Sequence, residues 1–158
     1  MASILKVNTI QDATNSNTAI SVDSSGRVTT PQRPAFHADS STHETIDPYF
    51  FTSFTTSGIG RFNQGGHLDL STGIFTAPIA GVYTFGFVFR DTQNTTGRKI
   101  GRIFINGTDF EVAENSGQYS DIGGSLSYLL SANDQIRVGT HPAGDGWDAV
   151  RFSGFLLG

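Results

Sequence analysis

Asp109 and Glu111 stand two positions apart. On a strand they would share a face, because successive side chains alternate sides. Their carboxyl groups would then lie near the roughly 5–9.5 Å separation on which glycoside hydrolysis depends. An acidic β-rich chain offers such pairs by chance, and no neighbouring residue marks either group as perturbed. A second constellation is the loop Gly144-Asp145-Gly146-Trp147-Asp148, which holds the only Trp of the chain. Trp147 could stack on a sugar ring while Asp145 and Asp148 accept its hydroxyl protons, or the acids could join carbonyls around calcium. The competing reading is a Trp packed back onto the fold, which the burial habit of a lone Trp favours.

The remaining groups offer less. None of the four His has the i, i+4 spacing of a zinc helix. His37 and His43 could meet across a turn with Glu44, but read as surface residues. His67 and Asp69 would share a strand face and read as a hydrogen-bonded structural pair. Arg98, Lys99 and Arg102 could hold an anionic sugar. Pairing with Asp or Glu is the simpler reading, since alternation separates Arg98 from Lys99. Ser nucleophile elbow, P-loop and dinucleotide fingerprint are all absent from the sequence. The chain is therefore expected not to be an enzyme.

The elements that must carry these groups are strands. Of 158 residues only 15% are charged, 19 are Gly and 13 are Phe. Strong helix formers are scarce, so an all-β chain follows. There is no Cys, which rules out disulfides and Cys-ligated zinc. Residues 1–34 carry a net charge of +1 and the remainder −5. An acidic body argues against a nucleic-acid or anionic-membrane surface. No apolar run reaches the length of a membrane span, and Met1–Lys6 does not read as a signal peptide. Synthesis in a cytosol is the expectation.

Residues 1–34 lack aromatics and scatter Ile4, Val7, Ile10, Ile20, Val22 and Val28 among polar residues. Ser24-Ser25-Gly26-Arg27 reads as a turn between strands over 19–23 and 27–30. So few apolar residues cannot close a core, so this stem must borrow surface from a partner or from other copies. Pro31-Gln32-Arg33-Pro34 forces an extended linker, dividing a stem (1–34) from a head (35–158). In the head, Tyr83, Phe85, Phe87 and Phe89 line one face of a strand, while Val82, Thr84, Gly86 and Val88 line the other. Asn106-Gly107 between two β-runs is a hairpin signal. Short strands separated by turns read as an antiparallel sandwich or jelly roll.

The head resembles the globular domain of complement component 1q, within the wider tumour-necrosis-factor-like jelly-roll group. The residues that carry the likeness are Arg33-Pro34-Ala35-Phe36, Phe62-Asn63 and Leu70-Ser71-Thr72-Gly73-Ile74-Phe75-Thr76. They continue through Pro78-Ile79-Ala80-Gly81-Val82-Tyr83-Thr84-Phe85, Ile105-Asn106-Gly107 and the closing Phe152-Ser153-Gly154-Phe155-Leu156-Leu157. The resemblance implies a ten-stranded jelly roll that binds rather than catalyses and that assembles as a homotrimer. It lacks the collagen stalk of the best-known members, and no calcium ligand set or other cofactor carries over. Residues 3–12 and 24–28 resemble the N-terminal segments of phage virion fibre proteins, those of marine and cyanobacterial phages above all.

In the closing strand Phe152, Gly154 and Leu156 point one way, and Ser153, Phe155 and Leu157 the other. By the resemblance, Phe155 and Leu157 fall in the core, while Phe152 and Leu156 face the threefold axis. The expected whole is a homotrimeric phage virion protein, a tail fibre, capsid fibre or knob. Its stem would bind other virion proteins and its head a host-surface glycan or protein. A stand-alone sugar-binding module and a glycan-cleaving enzyme are the alternatives.

Overall fold

A computed structural model of the chain describes residues 6–44, 49–91, 99–115, 121–140 and 147–157, with the side chains of His43 and Lys99 outside that description. The chain forms two compact units, Met1–Arg33 and Pro34–Gly158. The first is a small antiparallel sheet of β1 (Thr9–Gln11), β2 (Thr18–Val22) and β3 (Val28–Thr29). The turn expected at 24–27 joins β2 to β3, with Gly26 at φ 77°. The Asp23 carboxylate accepts the backbone N–H groups of Ser25 and Arg27 and pairs with the Arg27 guanidinium. β1 is an element that the sequence reading left out. Val7, Ile10 and Val28 stay exposed, as so short a sheet has too little apolar surface to bury them.

The second unit is an all-β sandwich. Its strands are β4 (Ala35–Ser40), β5 (Thr42–His43), β6 (Tyr49–Thr52), β7 (Phe62–Gln64), β8 (Leu68–Asp69) and β9 (Ile74–Thr76). They continue as β10 (Gly81–Arg90), β11 (Lys99–Ile105), β12 (Thr108–Asn115), β13 (Ile122–Leu130), β14 (Gln135–Thr140) and β15 (Ala149–Leu156). One sheet runs β13-β10-β15-β4-β7. The other runs β12-β11-β14-β6-β5, with β9 pairing β14 and β8. Four of the described segments, β5, β7, β8 and β9, have only two or three residues, and there the count departs from the ten strands of the resemblance.

β10 alternates as its sequence demands. Tyr83, Phe85, Phe87 and Phe89 are buried between the sheets, whereas Val82 and Val88 are exposed on the other side. Phe36 and Phe152 of the same sheet and Phe51 and Phe75 of the facing sheet complete an aromatic core. Centroid separations are 5.2 Å for Phe36–Phe75, 4.8 Å for Phe36–Phe152 and 5.2 Å for Phe51–Phe89. Such ring pairs add about 0.5–1.5 kcal/mol each beyond the area they bury. The Asn106-Gly107 hairpin forms as expected, with both residues at positive φ (49° and 81°). The Asn106 side chain donates to Asp134, tying this turn to the one that precedes β14.

Candidate functional site: the outer face of the five-stranded sheet

Register decides which side chains β15 shows to the outside. Phe152 lies opposite Phe87, Gly154 opposite Phe85 and Leu156 opposite Tyr83, so all three face the core. Phe152 is 0% exposed and Leu156 8%, while Phe155 and Leu157 are each 47% exposed. This reverses the expected orientation. Phe152 and Leu156 hold the protomer together and do not face a neighbour; Phe155 and Leu157 are the outward pair. The physical reason is Gly154. A Cβ there would stand 2.5 Å from the Phe85 ring and 2.7 Å from Phe36, so only the set containing the glycine fits between these rings.

The outward side chains form rows across the sheet. Leu129, Val82 and Leu157 make the first, Leu129 being Val82's cross-strand partner and the Leu157 N–H donating to the Val82 carbonyl at 2.7 Å. Ser127, Thr84, Phe155 and Ala35 make the second, with Thr84 and Ser127 hydroxyls 2.8 Å apart. The third is small and polar: Ser125, Gly86, Ser153 and His37, ending on the exposed Phe62. The fourth, Gly123, Val88, Arg151 and Asp39, turns charged. Arg61 forms an ion pair with Asp39. Beyond this row Arg90 and Ala149 lie opposite each other.

Residues 35–157 match the C1q-domain family profile, covering both sheets and this face. The chain belongs to the C1q family. C1q domains are for the most part non-enzymatic modules of structure and recognition. The C1q-domain chain is 30% identical over 100 residues to the hibernation-associated plasma protein HP-25 of Tamias sibiricus, an alignment of 61% of this chain and 46% of that protein. It thus spans about half the length of this curated relative. The globular domain of the zebrafish complement 1qA protein superposes with a TM-score of 0.57 at 19% identity, covering 80% of this chain and 98% of that one. That likeness carries the fold, a jelly-roll-like sandwich.

The other sequence candidates of this C1q domain fall elsewhere. Trp147 is 4% exposed and stacks on Phe89 at 5.3 Å, so its ring belongs to the core and is not offered to a sugar. Asp148 is half-buried, its N–H donating to the Arg90 carbonyl, and Asp145 lies outside the described residues. Asp109 and Glu111 do share a face, on β12, but both are drawn to one cation. Arg102 reaches Asp109 at 2.5 Å and Glu111 at 3.3 Å. The pair is thus engaged as the two arms of one surface ion-pair network, the arrangement of a structural pair. Arg98 lies outside the described residues. His67 and Asp69 do not pair. The Asp69 carboxylate accepts from the Ser71 hydroxyl and N–H and from Thr72 N–H, and these bonds hold its pKa below the ordinary 3.8. Glu44 bonds Arg137 at 2.6 Å, and that guanidinium also lies 3.8 Å over the Phe50 ring. Among the described residues no group of three His, Asp or Glu could hold a metal ion. Among them also, no helix is long and apolar enough to cross a membrane.

The outward row and the charged end of the face escaped sequence reasoning. The register of β15 against β10 would have revealed the first, since a glycine must sit opposite the aromatic wall.

Proposed function

We propose that the chain is a non-enzymatic homotrimeric head in which three copies meet through the first two rows of the five-stranded sheet's outer face. The observation that carries this reading is the exposed Leu129, Val82, Leu157 and Phe155, contiguous on one face of a C1q-family domain. Each is between 38% and 70% exposed, so covering it adds roughly 1 kcal/mol, about half the value for full burial of such a side chain. The contribution counts three times per assembly, and the central Thr84 and Ser127 satisfy each other without water.

We further propose that the head serves a phage virion, with residues 1–34 attaching it to other virion proteins and the head contacting a host surface. The fibre-like residues 3–12 and 24–28 support this part, as does a first unit whose Val7, Ile10 and Val28 remain uncovered. In that reading the protein is made in the host cytoplasm and carried on the particle.

Light scattering on the full chain tests the trimer. A native mass of three protomers is expected, falling to one in Phe155→Glu with unchanged circular dichroism. A native single chain, or a Phe155→Glu protein that stays trimeric, sinks the reading. Mass spectrometry of purified phage particles for this chain tests the virion role.

A further inference from the structure

We propose that the charged end of the outer face is a binding site for a tetrahedral oxyanion, the sulfate or phosphate ester of a surface glycan. A cavity of about 530 Å³ opens there, lined by Asp39, Arg61, Arg90, Asp121 and Arg151 among small apolar neighbours. That size suits a single sugar ring with its ester group.

The charge inventory points to the ligand's sign. Arg61 is held by Asp39. Asp121 is engaged as acceptor of the Asp91 N–H at 3.2 Å. Arg90 and Arg151 have no carboxylate partner among the described residues. Among the described lining residues three guanidiniums stand against two carboxylates, a positive excess in a chain whose net charge is −4. Two like charges so close repel each other and gain from an anion between them.

Geometry points to the shape. Arg151 lies opposite Val88 and Arg90 opposite Ala149, so the two arginines are diagonal neighbours on one sheet face. Diagonal positions stand about 7–8 Å apart, a span that two long side chains close around one tetrahedral group. The planar fork of each offers paired N–H donors to its oxygens. Val88 supplies the apolar part of the lining on this face, between the two arginines. Arg61 adds a third cation at the wall, fixed in place by Asp39 rather than free to follow solvent.

The inference deepens the recognition role proposed above, but the test separates the two. Isothermal titration of the full chain compares inorganic sulfate, inorganic phosphate, a sulfated oligosaccharide and its unsulfated parent, with the native mass measured in each sample. Binding of the sulfated sugar and none of the parent is expected, weakening with added salt. Arg90→Gln/Arg151→Gln should bind at least tenfold more weakly. Arg90→Lys/Arg151→Lys should fall between, since Lys keeps charge without the fork. Arg27→Gln, in the first unit, should bind like the wild type. Equal affinity for free anion and ester assigns the site to the free ion; tighter binding of the ester assigns it to the glycan. No binding of any anion, or binding that survives the double Gln variant, overturns the site even if the protein is trimeric. Loss of the trimer in that variant, with no anion bound by the wild type, assigns the arginines to a neighbour's carboxylates and overturns it too. A monomer that binds the sulfated sugar overturns the trimer and leaves the site standing.

Discussion

Phe152 and Phe155 lie three residues apart on one strand, yet one is sealed between two sheets and the other stands half in solvent. Over residues 152–157 the two faces of the five-stranded sheet differ in packing more than in composition, since each holds a Phe and a Leu. On the inner face, the rings of Phe36 and Phe85 leave so little room that position 154 must be glycine. On the outer face, side chains sit in rows with space between them, and Gly86 has an ordinary contact with Ser153 where a Cβ would go. On the closing strand hydrophobicity therefore does not tell the faces apart; tolerance to volume does.

Substitutions can break or sharpen this contrast. Phe152→Ala should have the largest effect, about 3–5 kcal/mol of lost stability in urea unfolding, because three neighbouring rings surround the cavity it leaves. A loss under 1 kcal/mol would mean that the inner face is as loose as the outer. Gly154→Ala comes next, at about 1–3 kcal/mol, since the new methyl collides with Phe85 and Phe36. By contrast Phe155→Ala should cost the protomer itself under about 1 kcal/mol, as its side chain is already half exposed. Its effect should appear instead in the proposed trimer, which should dissociate at higher protein concentration, read by sedimentation.

The smallest effect lies off both faces, at Asp134. The Asn106 side chain and then the Ser131 N–H bond its carboxylate and hold its pKa below the ordinary 3.8. A carboxylate with a depressed folded pKa adds stability that is present above the unfolded value and is lost as pH falls through the folded one. Unfolding midpoints should thus drop as pH is lowered below 3.8, and Asp134→Asn should drop less steeply over that range. Parallel curves would show that these bonds do not discriminate between the charged and neutral forms.

What could be read from the chain followed from local rules. Alternation placed Tyr83, Phe85, Phe87 and Phe89 on one face, and the positive φ that Asn106 and Gly107 accept made their turn legible. β15 resisted because both of its faces hold a Phe and a Leu, and only its register against β10 separates them. Trp147 was ambiguous for a related reason: a lone ring between acids suits a sugar site or a core edge, and its contact with Phe89 is long-range. The charged end could not be found by spacing, since Arg61, Arg90 and Arg151 are scattered along the chain and meet only through strand pairing and the Arg61–Asp39 ion pair.

β15 is the final strand of the domain and sits mid-sheet, between β10 and β4. A ribosome making this protein must therefore release Leu156 before the aromatic wall of β10 can be flanked on both sides. Until then β4, among the first head strands to emerge, waits without its main partner. The head should close only once β15 has emerged, with its earlier strands exposed meanwhile to chaperones and to sticking between nascent chains. Removal of Ala149–Leu156 would leave a gap through the middle of a sheet, not a frayed tip.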